Sequence, residues 1–495
     1  MTGLLTVLPV DMVLPLSLVM PLGGMLLVLL CGRMPNLREA MSLATGVALL
    51  YTVSVIASHT FDGESLRWIL AEPFAGFQIA FSAEPLGAVF ALLASFLWIV
   101  TTVYAIGYMR GHKEQNQTRF YAFFAISISG VMGVAFADNL LTLFIFYEVL
   151  TLATYPLVTH AGTADARKGG RVYLGILIGT SMLFFLLAIL WTAIEAGSLK
   201  FAAGGIFSEE APALTLSILL ALYVFGIGKA AIMPFHRWLP AAMVAPTPVS
   251  ALLHAVAVVK AGVFSVLKIV IYVFGVDTLA SIPSASWLAW LAGFTILAAS
   301  LVAMRKDNLK ARLAYSTVSQ LSYVILGALL ANSAAITGAA MHIVAHGVGK
   351  ITLFFCAGAI LVAAHRKNVS ELDGLGSRMP FTFAAFFVGA LSIAGLPPAV
   401  GVWSKWYLAL GTVDAGEFLL LAVLLVSTLL NVWYLLEIPV RAFFKPARAE
   451  VDNSGISEAP TPSLIAIGIT TACCIVFFVY PDPIYFAATS LVSGW

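Results

Sequence analysis

The stretch FIFYEVLTLATYP, residues 144–156, places one carboxylate, Glu148, where Leu, Phe, Ile, Val, Tyr and Ala fill almost every other position. A bare charge in hydrocarbon costs several kcal/mol, roughly 3 kcal/mol on insertion scales. Either this segment lies outside a membrane or something offsets that cost. The surrounding chain settles which. Of its 495 residues 61% are hydrophobic and only 10% charged, too few charges to cover a water-facing surface of that size. Apolar stretches of about 20 residues, the length of one crossing, recur along it. They lie near 12–31, 40–58, 86–108, 119–137, 139–160, 172–196, 212–233, 248–272, 286–304, 313–331, 337–364, 381–411, 416–440 and 463–481. The fold class predicted is an all-α polytopic membrane protein with about 14 transmembrane helices.

The first stretch has no basic flank and no A-x-A-like cleavage site, so it reads as a span and not as a removable signal. Cys31, Cys356, Cys473 and Cys474 lie in or at the edge of spans, without CxxC or Cys/His spacing. Neither a disulfide framework nor a bound metal is expected, and no cofactor motif is visible. The net charge is +2, and no basic tract points to nucleic acid. The loop at 59–83 and the polar stretch 446–460 carry no recognisable chemistry.

Lysine and arginine set the orientation. Odd-to-even loops hold Arg33, Arg38, Arg110, Lys113, Arg119, Arg167, Lys168, Arg171, Arg237, Arg305, Lys306, Lys310, Arg312, Arg366, Lys367, Arg378, Arg441, Lys445 and Arg448. The opposite side offers only Arg67 and Lys200. By the positive-inside rule the first group is cytoplasmic, which puts both termini outside a cell membrane. A wrong span count would have scrambled this asymmetry.

What remains is chemically informative. Five cations fall within spans, and all are lysines: Lys229, Lys260, Lys268, Lys350 and Lys405. Arginine stays protonated, whereas a desolvated lysine can release its proton. Groups that load and unload protons would be Lys, His and Glu. The alternative is snorkelling to an interface, and for Lys268, near the outer end of its span, the two readings stand level. Glu148 finds a candidate partner in Lys229: a pair would keep both charged, and separating it would let the amine drop its proton. The competing reading is a static buried salt bridge, which is weak grounds for stability.

In MHIVAHGVGKITLFF, His342, His346 and Lys350 stand at i, i+4 and i+8, on one slowly drifting helix face suited to a proton relay. His254, six residues before Lys260, lies off that residue's face by roughly 120° and joins the relay candidates. Thr247 and Ser250 read as helix-start and hydrogen-bonding residues. Two spans look broken. GIGKAAIMPFHRWLP (226–240) sets Pro234 after Lys229, and GLPPAVGVWSKW (395–406) sets Pro397 and Pro398 before Lys405. Unwound backbone at membrane depth is tolerated only beside protein or a wet cavity. The breaks lie at spans seven and twelve, an odd separation, as in an inverted repeat of helices 4–8 against 9–13. The chain then divides into 1–118 (helices 1–3 and an outer loop), 119–272 (first five-helix repeat), 286–440 (second repeat) and 463–495 (helix 14).

The run KAAIMPFHRWLPAAMVAPTPVSALLHAVAVVKAGVF (229–264), with FYEVLTLATYPLV (146–158) and GLPPAVGVWSKWYL (395–408), resembles the antiporter-like membrane subunits shared by respiratory complex I, membrane-bound hydrogenases and Mrp-type cation/proton antiporters. The resemblance covers roughly residues 84 to 440. It implies fourteen helices, broken helices 7 and 12, and a polar axis in the membrane plane. It also implies Glu148 as the helix-five glutamate, Lys229 as its partner and Lys260 as the connecting lysine. His342, His346 and Lys350 take axis positions, and Lys405 the terminal one, where some members carry a glutamate. Within the family the chain most resembles the D-type member of the Mrp antiporters. It lacks the lateral helix of the largest complex I member and the extension of the large A-type Mrp member.

The expected function is that of a proton-translocating subunit, moving H⁺ along the Glu/Lys/His axis in exchange for Na⁺ or another monovalent cation, beside other membrane subunits in the lipid bilayer. Without a redox site of its own it is not expected to be an enzyme. The alternatives are a proton-pumping subunit of a complex I or hydrogenase-type redox complex, and an assembly scaffold that transports nothing.

Overall fold

A computed structural model describes residues 9–74, 76–446 and 455–491. Arg448 and the two chain ends, on which the predicted orientation also draws, lie outside the described residues. The crossings run in chain order α1 (Val13–Leu30), α2 (Pro35–Phe61), α3 (Pro85–Gly111), α4 (Gln117–Ala135), α5 (Leu140–Val158) and α6 (Ala164–Ala196). Next come α7 (Ala213–Gly226, resumed at Trp238–Ala241), α8 (Thr247–Phe274), α9 (Pro283–Arg305), α10 (Leu309–Leu329) and α11 (Ser333–Ala364). The last are α12 (Pro380–Ala394, resumed at Gly401–Asp414), α13 (Phe418–Phe444) and α14 (Thr461–Val479), with a short α15 (Asp482–Thr489) behind them. Eleven of these helices are long and apolar enough to cross a membrane. The other three crossings are the two interrupted helices and α10, which at 21 residues is long enough to cross but more polar than its neighbours.

Local chemistry explains the helix starts. Asn139, Thr163, Asn308 and Asn332 precede α5, α6, α10 and α11, and each side chain accepts a backbone N–H three residues on. Pro35, Pro85, Pro283 and Pro380 open α2, α3, α9 and α12, where a missing N–H costs nothing. Inside the spans, hydroxyls such as Thr52, Ser95, Thr102 and Ser127 donate to the carbonyl four residues back, which satisfies these donors within their own helices. Leu30, Leu183, Ile194, Leu214, Leu419 and Val479 are exposed, the outward apolar surface that lipid requires.

The loops sort into two faces. Arg38 donates to Gln117 and Thr118, His160 contacts the Gln115 carbonyl, Lys310 donates to the Ala245 carbonyl, Val369 N–H to Asp307, and Gly374 N–H to Arg441. These bonds gather the odd-to-even loops on one face, the basic one. On the other, Ser82 N–H donates to Phe136, Leu140 N–H to Leu199 and Ala202 N–H to Tyr272. There the loop at 59–83, in which the sequence shows no recognisable chemistry, contains an antiparallel hairpin of β1 (Arg67–Phe74) and β2 (Phe77–Ser82), with Arg67 opposite Ser82.

Candidate functional site

The break in α7 opens with a 3₁₀ turn, Gly228–Ala230, followed by Ala231 at φ +54° and a second 3₁₀ turn, Phe235–Arg237. Gly262 of α8 packs onto it so closely that an added Cβ would collide with the Lys229 carbonyl carbon and the Ala230 nitrogen. Trp238 Nε1 donates to the freed carbonyl of Gly228 at 2.9 Å. Lys229 is thereby fully buried. Its Nζ donates to the Tyr147 carbonyl at 2.7 Å and to Thr151 Oγ1 at 2.5 Å, 3.1 Å from the centroid of the Tyr147 ring. The expected ion pair with Glu148 is not formed: neither Glu148 oxygen has a hydrogen-bond partner among the described residues. Glu148 is the next residue after Tyr147 on α5, so the lysine has docked on the backbone and a hydroxyl beside the acid. Both amine and acid are buried.

Lys260 and His346 touch. Nζ and Nδ1 stand 2.7 Å apart, both side chains buried, with no carboxylate in hydrogen-bond contact with either among the described residues. The His346 ring lies 5.9 Å from that of His342. His342 Nδ1 reaches Ser404 Oγ at 2.9 Å, and its ring stacks on Tyr323 at 5.6 Å. Also against Tyr323, 4.8 Å from its centroid, sits Lys405, which donates to the Ala394 carbonyl at 3.1 Å and to Thr428 Oγ1 at 3.4 Å. Lys405 is half-buried, unlike the other span lysines. The row His342–His346–Lys350 does not stay on one line. Eight residues of helix turn through about 80°, and Lys350 diverges to Ser316 of α10 at 2.6 Å, which in turn accepts from Tyr434. His254 is buried against the Phe354 ring at 4.6 Å, neither ring nitrogen bonded among the described residues. It sits in a wider turn of α8, Leu252–Val256. Pro234 and the pair Pro397–Pro398 lie at the two breaks, as expected. Lys268 does not snorkel: it is fully buried and paired with Glu84 beneath the hairpin.

A family model described as NADH:quinone oxidoreductase/Mrp antiporter, TM, matches residues 137–431, more than half of the chain. The N-type membrane subunit of the NADH-quinone oxidoreductase of Desulforudis audaxviator is 33% identical over 409 residues, 81% of this chain and 80% of that protein. The chain belongs to this family. The A-type subunit of the Na(+)/H(+) antiporter of Alkalihalophilus pseudofirmus is 29% identical over 88% of this chain, which spans only 57% of that larger protein. Among solved structures, a chain of the Mrp complex from Dietzia sp. superposes with a TM-score of 0.85 at 20% identity, covering 98% of this chain and 97% of that one. A chain of the archaeal membrane-bound sulfane sulfur reductase reaches the same TM-score at 21% identity, with 97% of each covered. At those identities the likeness is one of fold.

Sequence reasoning named the amines and imidazoles of this family member but missed what they touch. Thr151, Ser316, Ser404 and Tyr434 supply hydroxyls to the row. Gln320, one turn from Ser316, is fully buried with neither amide atom bonded among the described residues. The signal was present in STVSQLSY (316–323), a run too polar for a helix bathed in lipid.

Proposed function

We propose that the chain is the proton-translocating membrane subunit of a multisubunit monovalent cation/proton antiporter, of the D-type Mrp kind, with Na⁺ as the cation exchanged. One observation carries this reading: the buried contact of Lys260 with His346. A hydrogen bond needs one donor and one acceptor, and an ammonium has no lone pair to offer. Two cations side by side in a dry interior repel, so the pair holds at most one extra proton. Such a contact adds little as a structural tie and is the geometry of a hand-over. Unbonded polar atoms at Glu148, His254, His342 Nε2, His346 Nε2 and Gln320 follow the same row, where buried polar groups call for water. In the proposed orientation the basic face is cytoplasmic. Residues 119–272 and 286–440 act as two inverted halves, joined through Lys260 and His346. Glu148 governs Lys229 by approaching and leaving it.

The test is ion movement in vesicles holding the intact complex, with and without Na⁺. Lys229→Ala is expected to abolish proton flux while the complex stays assembled. Flux at the level of the unmodified complex overturns the reading.

The identity with the N-type subunit of a quinone oxidoreductase over 81% of the chain favours a second reading, in which electron transfer elsewhere in a redox complex drives the same axis. Iron–sulfur absorbance and NADH or hydrogen oxidation in the purified complex would select it. Their absence together with Na⁺-dependent proton flux selects the antiporter.

A further inference from the structure

Lys268 has no place in the row just described, yet it is as buried as any member of it. It stands eight residues beyond Lys260 on α8, about 12 Å nearer the hairpin face. Halfway between them Phe264 packs against Phe90 of α3 with ring centroids 4.8 Å apart. Lys268 Nζ donates to the Ala137 carbonyl at 2.7 Å, pairs with Glu84, and lies 4.7 Å from the Phe201 ring. Glu84 is the residue just before α3, and Tyr272 of α8 also faces it. Burial pushes its carboxyl above the usual carboxylate range, against the pull of the Lys268 amine. Beside it, Asp138 is held by Arg67 of β1 at 3.0 Å. Arg67 and Asp138 line a cavity of about 190 Å³ at the hairpin face, together with Gln78, Asn139, Gly197 and Lys200. An amine with no exposure, an acid with little, and a polar cavity thus follow one another from Lys260 towards the hairpin surface.

We propose that Lys268 and Glu84 form a proton-release port on the hairpin face, fed from Lys260 along α8 and closed in this structure by Phe264 against Phe90. The proposal rests on the proton-translocating reading above and gives the first half of the molecule its own way out, apart from Lys405. The steps balance as simple transfers. Lys268–NH₃⁺ gives its proton to the Glu84 carboxylate, breaking an N–H bond and forming an O–H bond. Glu84 releases that proton to water on the side of Asp138, which lines the cavity, and the neutral Lys268 amine takes the next one from Lys260 through water admitted when Phe264 and Phe90 part. Asp138, fixed by Arg67, keeps a negative charge at the mouth, while Lys200 across the cavity opposes recapture from outside.

A buried ion pair that merely pins the hairpin to α8 would have the same contacts, so the test separates charge from proton exchange. Lys268→Arg keeps a cation opposite Glu84 but one that does not deprotonate. In vesicles holding the intact complex, followed with a pH-sensitive dye, it is expected to lower proton flux by about tenfold or more while assembly and melting temperature are retained. Glu84→Gln, of nearly equal shape, serves as the second variant should the larger arginine fail to assemble. It is expected to give the same loss and to flatten the dependence of flux on pH at the hairpin side. Lys229→Ala is measured alongside. If Lys229→Ala is silent while either port variant assembles and runs within about twofold of the unmodified complex, the port is wrong and the axis stands. If Lys229→Ala runs normally, the axis itself is wrong and the port falls with it.

Discussion

Two helices of this chain break beside a lysine, and the two lysines end in different surroundings. Lys229 is sealed. The turn that carries it is clamped by Gly262, its amine reaches out of its own helix to Tyr147 and Thr151 of α5, and nothing of it is exposed. Lys405 stays at its own break and also reaches Thr428 of α13 and the Tyr323 ring of α10. It bonds the Ala394 carbonyl, at the C-terminal end of the first segment of α12, where the helix dipole favours a cation. It is half-buried, and its neighbour Trp406 is 58% exposed. One sequence device, a proline break beside a lysine, has produced an enclosed amine held by another helix and an edge amine held across its own break and by α13. The first suits a gated station enclosed within a single chain. The second suits a station at the edge of the chain's own packing.

The largest effect should come from cutting the link between the two. If both breaks belong to one path, Lys260→Met removes the amine in contact with His346 and proton flux should fall by about 100-fold or more, with the complex still assembled. A loss of about half would mean that the two breaks work separately. A smaller and asymmetric effect is expected from arginine. Lys229→Arg has no room over the Tyr147 ring and should lower both assembly and flux, whereas Lys405→Arg, at the edge, should assemble normally and lower flux by about tenfold. Equal assembly of the two, measured by native gel of detergent extracts, would erase the distinction drawn between them.

Much of this is legible in the sequence. The excess of apolar residues, the positions of Lys and Arg and the two proline breaks are properties of single residues in a bilayer, and they lead to the membrane-spanning helices and to the lysines buried among them. What sequence could not carry was pairwise. Glu148 and Lys229 match by charge alone, but in the folded chain the ammonium found a carbonyl and a hydroxyl at shorter range. The i, i+4, i+8 spacing of His342, His346 and Lys350 implies a slow drift of the face but not the partner, Ser316, to which it sends Lys350. Snorkelling stood level with burial for Lys268 because its partner, Glu84, lies 184 positions away, before α3. The hairpin at 67–82 was missed because in it Gly76 and alternating apolar residues are set between spans whose hydrophobic signal overwhelms a period of two.

The smallest effect probes the clamps themselves. Gly262→Ala drives a Cβ into the backbone of the Lys229 turn, against three of its atoms, and backbone cannot yield as a side chain does. A destabilisation of about 1–3 kcal/mol is expected, as for other overpacked sites. At the second break the nearest equivalent is Gly395, at φ +78°, where an added Cβ would meet Lys405 Cδ at 2.5 Å. That atom belongs to a flexible chain with room at the edge, so the remaining penalty is the left-handed backbone, about 1–2 kcal/mol. Thermal melting of the two purified variants in the same detergent should therefore rank Gly262→Ala as the less stable or, at the overlap of the ranges, equal. The decisive difference is in transport. Gly262→Ala shifts the sealed lysine against Tyr147 and should slow flux, while Gly395→Ala lets Lys405 swing aside and should leave flux nearly intact once folded. The reverse order would make the edge lysine, not the sealed one, the station that tolerates no displacement.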